Sequence, residues 1–196
     1  MPSIPSSTNA SDLFDEKMGT YCLELEQVTF TVAEFAQLME GWRNRYPIIS
    51  IEDPMADTDW TGWQMVHEKL GQRIQLIGDD LFTTNIRRIE RGIANAMLIK
   101  LNQIGTVTET LNAIRLTQEA GWLPVVSARS GETEDTFISH LAVATNAGQL
   151  KVDSFSRSER MAKWNEVIRI ERHLGANARL IGADLFRRII PAPART

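Results

Sequence analysis

From Tyr46 onward the chain repeats one pattern: a short, almost unbroken apolar run ends on polar or charged residues and gives way to a stretch with helical periodicity. The runs are 47–51, 75–77, 96–101, 123–126 and 149–152. Runs without polar alternation suit parallel strands covered on both faces. The segments between and after them, 60–70, 85–94, 106–120, 132–147 and 157–174, read as helices, several preceded by Thr, Asp or Ser able to cap a first turn. A further helix over 32–45, capped by Thr31, precedes the first run. The pattern predicts an α/β fold of about five βα units in one domain over residues 10–186, with a disordered segment 1–9 before it and a loose tail 187–196 after it.

Length and composition agree with this. The 196 residues, 43% hydrophobic and 23% charged, suffice for one sizeable core. The formal charge of -4 is dispersed, so neither a nucleic-acid footprint nor a membrane-binding patch is visible. With Cys22 as the single cysteine, no internal disulfide or thiolate cluster can form, which suits a reducing cytoplasm. The first residues lack the basic lead and apolar core of a signal peptide, and no apolar run is long enough to span a bilayer. One near-repeat, LIGDDLF at 76–82 and LIGADLF at 180–186, has no third copy and reads as coincidence.

In parallel βα architectures the strand ends that precede the helices converge on one face, where functional residues collect. Here those ends carry Glu52-Asp53, Asp79-Asp80, Lys100, Arg129-Ser130-Gly131 and Lys151. Glu52 and Asp79, on adjacent strands, either share a cation, for which an all-oxygen site favours Mg²⁺, or cap helices and pair with Lys100 and Lys151. Asp53 and Asp80 read as supporting groups or helix-start residues. Lys100 is either a base at the end of an apolar run or the partner of a carboxylate. The loop 127–135, with Arg129, Ser130 and a flexible Gly131 before a helix, suits a phosphate or carboxylate, although Ser-Gly loops also precede helices for structural reasons alone.

Taken together and in order, YPIISIEDP (46–54), QLIGDDLFTTN (75–85), LIKLNQIGTVTETL (98–111), SARSGETEDTFI (127–138) and GQLK with SRSERMAKWNEVIRIE (148–171) resemble enolase, phosphopyruvate hydratase. The resemblance implies the C-terminal part of a TIM-type (β/α) barrel, left incomplete because five units do not close eight strands. It implies Mg²⁺-dependent, cytoplasmic, glycolytic interconversion of 2-phosphoglycerate and phosphoenolpyruvate. Lys100 would be the base, Glu52 and Asp79 metal ligands, Lys151 the partner of the substrate carboxylate, and Arg129 with Ser130 the phosphate clamp. The implied ligand is a small phosphorylated carboxylate, and the implied partner another enolase subunit or a second copy, with neither nucleic acid nor membrane.

Three positions depart from the family. Ser7 stands where a third metal-binding aspartate is usual, Ala128 where a histidine precedes the arginine, and Asp153 where a small glycine follows the lysine. The N-terminal domain and first barrel strands that carry the acid catalyst are also lacking, and an acid catalyst alone is worth roughly 10² to 10⁴ in rate. The expectation is therefore an enolase-like lyase inactive as this isolated chain, with a catalytically dead interaction protein or a truncated relic as the alternatives.

Overall fold

A computed structural model describes residues 4–7 and 10–190. The chain opens with β1 (Ile4–Ser7) and then forms a small antiparallel sheet from β2 (Phe14–Asp15), β3 (Thr20–Leu23) and β4 (Val28–Thr31). There follow α1 (Val32–Arg45), β5 (Ile48–Glu52), α2 (Trp60–Leu70), β6 (Gln75–Gly78), β7 (Ala96–Ile99), a short α3 (Leu101–Ile104), α4 (Val107–Glu119), β8 (Leu123–Ser127), α5 (Phe137–Ala144), β9 (Leu150–Lys151) and α6 (Ser158–Leu174). The large sheet has six strands in the order β1-β5-β6-β7-β8-β9, all parallel. Consecutive strands lie side by side with mostly helical crossovers, the arrangement of an incomplete (β/α) barrel.

Five of these strands are the runs expected from sequence, trimmed or extended by one or two residues. The sixth, β1, falls within the segment 1–9 expected to be disordered: Pro5, Ser6 and Ser7 lie in register with Ser50, Ile51 and Glu52. Residues 1–3 and 8–9, and most of the tail (191–196), lie outside the described residues. Residues 14–31, for which the sequence pattern predicts no element, form the antiparallel sheet.

Two expected helices contract. The stretch 85–94 holds only a 3-10 turn, Ile86–Arg91, in which Arg88 donates 2.6 Å to the Leu81 carbonyl and the Asn85 carboxamide accepts from Arg87 N–H. The stretch 132–147 is helical only from Phe137, because Glu132 is tied to neighbouring loops and Asp135 accepts from Phe137 N–H at 2.9 Å. The near-repeat is not structural: residues 76–82 run from β6 into a turn, whereas 182–188 form a 3-10 turn.

Three of the helices, α1, α2 and α4, start at capping side chains. Thr31 and Glu34 form a reciprocal capping box on α1, and Asp59 and Thr106 accept from the first-turn N–H groups of Gly62 and Glu109. Asp59 also accepts from the buried Tyr21 hydroxyl at 2.8 Å, and that hydroxyl accepts from Ala56 N–H. The small sheet is thereby fastened to the loop that follows β5.

The period of two along each strand sorts the core into two faces. Ile51, Leu76, Met97, Ile99 and Val126 point outward into the larger cluster with Phe35, Trp63, Val66, Leu70, Ile114, Ile138 and Leu141 of the helices. Ile77, Ala96, Leu98, Leu123 and Val125 point inward, where Leu185, Phe186 and Ile189 of the C-terminal segment meet them. Leu185 packs so closely on Gly148 (φ 79°) that a Cβ there would stand 2.8 Å from Leu185 Cδ1.

Candidate active site

Continuing the inward parity of Ser50, Ile77 and Leu98 by two residues brings the chain to Glu52, Asp79 and Lys100. The strand-end charges thus lie on the concave side of the sheet because of register, not loop accident. Gly78 immediately precedes Asp79, and the Phe82 ring fills the space a Cβ would take. This close turn holds Asp79 at the rim.

The charges meet in pairs. Lys100 Nζ donates to both oxygens of Asp79, at 2.8 and 2.6 Å, while its backbone N–H donates to Thr84 Oγ1. Lys151 Nζ donates to Glu52 Oε1 at 2.7 Å and stands 3.3 Å from Asp153 Oδ1. Burial pulls the Lys151 ammonium down, but its bond to Glu52 and the charge of Asp153 leave its pKa above the ordinary lysine value. Of the readings left open by the sequence, the ion-pair reading describes both lysines in this structure.

Asp53 is buried in the left-handed backbone region (φ 42°) and accepts from the N–H groups of Asp79 and Asp80 at 2.9 and 3.0 Å. Burial pushes its pKa up to about 7 despite those two hydrogen bonds, with the Asp79 and Asp80 charges adding to the rise. Asp80 is raised too, by burial and then by Asp79. Carboxylate oxygens of Asp53, Asp79 and Asp80 lie within 4.8 Å of one another. Such crowding of hard oxygen donors fits a divalent cation, which would favour the ionised forms that burial opposes.

Arg129 and Ser130 are exposed on the loop after β8. The loop itself is held from below by residues that the sequence reading passed over. Glu132 Oε1 accepts from Arg129 N–H at 3.2 Å and from Asn102 Nδ2 at 2.9 Å. Lys163, fully buried, donates to the carbonyls of Thr133 (2.6 Å) and Glu159 (3.0 Å) and stands 3.3 Å from Glu132 Oε2. A buried ammonium with these partners is compensated. Arg160, 6% exposed, donates to the Arg129 carbonyl at 3.2 Å. Their spacing of three places Arg160 and Lys163 on one face of α6, which is the signal that would have picked them out.

Among the positions flagged as departures, Ser7 sits in register with Glu52 at the end of β1, so its place in the row of strand ends is as expected. Ala128 has the opposite parity to Val125 and packs in the outward cluster, 1% exposed, with its N–H donating to the Lys151 carbonyl at 3.0 Å. Its methyl therefore faces the core rather than the rim. A cavity of about 610 Å³ runs along the concave face between Ser50, Gln75, Glu52, Lys151 and Phe155. Among the described residues, no helix is long and apolar enough to cross a membrane.

Comparison with known proteins agrees with this geometry. Residues 3–189 match the family described as Enolase, C-terminal TIM barrel domain. The chain is 59% identical over 181 residues to Enolase 1 of Desulfitobacterium hafniense (strain Y51), an alignment covering 90% of this chain and 41% of that protein. The chain thus spans less than half the length of this relative.

Proposed function

This chain belongs to the enolase family, and from that premise we propose that it supplies the base, two metal ligands and an anion clamp of a Mg²⁺-dependent lyase interconverting 2-phosphoglycerate and phosphoenolpyruvate. The observation that carries the reading is the convergence of Glu52, Asp79, Lys100 and Lys151 on one rim of a parallel sheet, in two carboxylate–ammonium pairs. Glu52 and Asp79 would hold the metal, with Asp53 and Asp80 behind them. When bound, Mg²⁺ supplies positive charge where the substrate carboxylate gathers negative charge in the transition state, the chemistry general to this superfamily.

The chain's own residues divide the remaining work. Lys100 takes the proton from the carbon beside the carboxylate. To do so it must present a neutral amine and leave the two bonds it donates to Asp79. Lys151 faces the substrate carboxylate in exchange for Glu52. Arg129 and Ser130 grip the phosphate, and their loop is ordered in advance by Glu132, Lys163 and Arg160, so less freedom is lost on binding. The acid catalyst is not assigned to any described residue. A cytoplasmic, glycolytic setting, a small phosphorylated carboxylate as substrate and association with an enolase subunit or a second copy of this chain complete the reading.

The test is complementation. Mixing this chain with an N-terminal enolase fragment is expected to give Mg²⁺-dependent turnover of 2-phosphoglycerate, reduced at least about 10²-fold by Lys100→Met. Absence of any Lys100-dependent turnover would overturn the proposal. A second reading, a catalytically silent enolase-binding protein, is favoured by the Asp153 contact with Lys151. Co-elution with full-length enolase in light scattering, with no turnover in the mixture with the N-terminal fragment, would select it.

A further inference from the structure

The loop after β9 carries a negative charge where the two nearest cations face one another. Asp153 Oδ1 stands 3.3 Å from Lys151 Nζ, and Asp153 Oδ2 stands 3.9 Å from Arg160 Nη1. Arg160 is 6% exposed, yet among the described residues that Nη1 makes no hydrogen bond, since 3.9 Å to Asp153 is beyond reach. A buried guanidinium that leaves a donor unspent is uncommon and calls for an explanation. Asp153 also holds φ at 72°, in the left-handed region that few side chains other than Asn and Asp enter. Backbone of this kind persists where the surroundings hold it, and here the Asp153 carboxylate is drawn toward Lys151.

We propose that Asp153 is a built-in anion, standing near both Lys151 and Arg160 and thereby setting how tightly the rim holds an anionic ligand. With the carboxylate in place, an incoming anion meets a like charge and finds Lys151 already shared between Glu52 and Asp153. Without it, Lys151 Nζ and the unspent Arg160 Nη1 both turn to the ligand. Like charges in contact are a strong source of discrimination, stronger than the loss of one weak attraction. Asp153 is therefore an affinity-determining residue, weakening the hold of Lys151 on an anionic ligand, the phosphorylated carboxylate of the lyase reading included. The inference rests on the lyase reading only for the choice of Lys151 as the cation that meets substrate.

The experiment measures affinity, not turnover, so that its failure and the failure of the lyase reading are separate events. Phosphonoacetate, carrying a phosphonate and a carboxylate, is titrated calorimetrically into the full chain and its Asp153→Asn and Asp153→Gly variants. Asn keeps the size and tolerates the positive φ, while Gly also relieves the backbone. Both variants are expected to bind about tenfold tighter than the parent, and adding Lys151→Met to Asp153→Asn is expected to abolish the gain. Equal affinity in all three proteins would overturn the proposal, as would no measurable binding to any of them. A gain confined to Asp153→Gly would overturn it too, because backbone relief rather than charge would then be responsible. Melting curves of the three proteins show that each is folded when titrated.

Discussion

On its outer face the six-stranded sheet buries Ile51, Leu76, Met97, Ile99 and Val126 against Phe35, Trp63, Leu70, Ile114 and Leu141, all within 4% of complete burial. On its inner face the cover is one short segment, Leu185 with the partly buried Phe186 and Ile189, beside a cavity of about 610 Å³. That face also carries polar side chains, Ser50 and Gln75, and among the described residues the buried amide nitrogens of Gln75 and Gln149 have no partner. The two faces divide the labour. Apolar burial on the outside holds the strands in register, and register alone delivers the charges to the inner rim, where little apolar area is gained.

The largest expected effect lies on the outer face. Trp63 is fully buried, and its indole N–H donates 3.1 Å to the Ala56 carbonyl. Trp63→Ala is expected to cost about 3–5 kcal/mol in urea unfolding. Leu185→Ala, on the inner face, is expected to fall near the lower end for such truncations, about 2 kcal/mol, because half-exposed neighbours can relax into the gap. Equal losses would break the comparison and make the inner cluster a full partner in stability.

The division also explains what could be read without coordinates. The outer face announces itself: continuous apolar strands, caps at Thr31, Asp59 and Thr106, and helices long enough for periodicity to show. Thus α1 and α2 have the bounds expected. Side-chain competition with the backbone hides the rest. The Asn85 side chain takes the Arg87 N–H, Arg88 reaches back to the Leu81 carbonyl, and Glu132 turns toward Arg129 and Asn102 instead of starting a helix. β1 escaped because IPSS (4–7) is short, polar and holds a proline, and only its parallel pairing with β5 makes it a strand. The rim residues were legible as strand ends, but their pairing was not. Whether Lys100 meets Asp79 or Glu52 depends on inter-strand geometry, and the support from Arg160 and Lys163 crosses about thirty residues of sequence.

The inner rim is also where the fold bears a pH-dependent cost. The Asp53 carboxyl titrates near 7 in the folded chain, against about 3.9 when unfolded. The folded state thus binds this proton more tightly than the unfolded state. Stability is greatest below the unfolded value, falls as pH rises through about 4 to 7, and is level above. The loss is on the order of 4 kcal/mol before any gain from a bound cation. Asp80, shifted in the same direction, adds to it. Urea unfolding at pH 5 and pH 8 is expected to show the decline, and Asp53→Asn, which tolerates the left-handed backbone, to flatten it. A decline unchanged in that variant would place the titrating group elsewhere and weaken the contrast between rim and core.

The smallest effect is the most direct probe of the inner face. Ser50 Oγ donates 2.9 Å to Gln75 Oε1, a closed polar pair on adjacent strands, while Gln75 Nε2 is buried with its donors unspent. If this face existed to stabilise the chain as it stands, removing that pair would be costly. A typical hydrogen bond contributes about 1 kcal/mol net, whereas a buried unsatisfied donor costs about 1–3 kcal/mol. The double variant Ser50→Ala with Gln75→Leu deletes both the bond and the orphan, and adds apolar surface next to Ile77 and Val125. It is expected to unfold within about 1 kcal/mol of the parent, on the stabilised side. The single Gln75→Leu, which strands the Ser50 hydroxyl, should be less stable than the double variant. A double variant markedly weaker than the parent would mean that the polar layer supports the fold, and would erase the distinction between a face that holds the sheet and a face that serves the site.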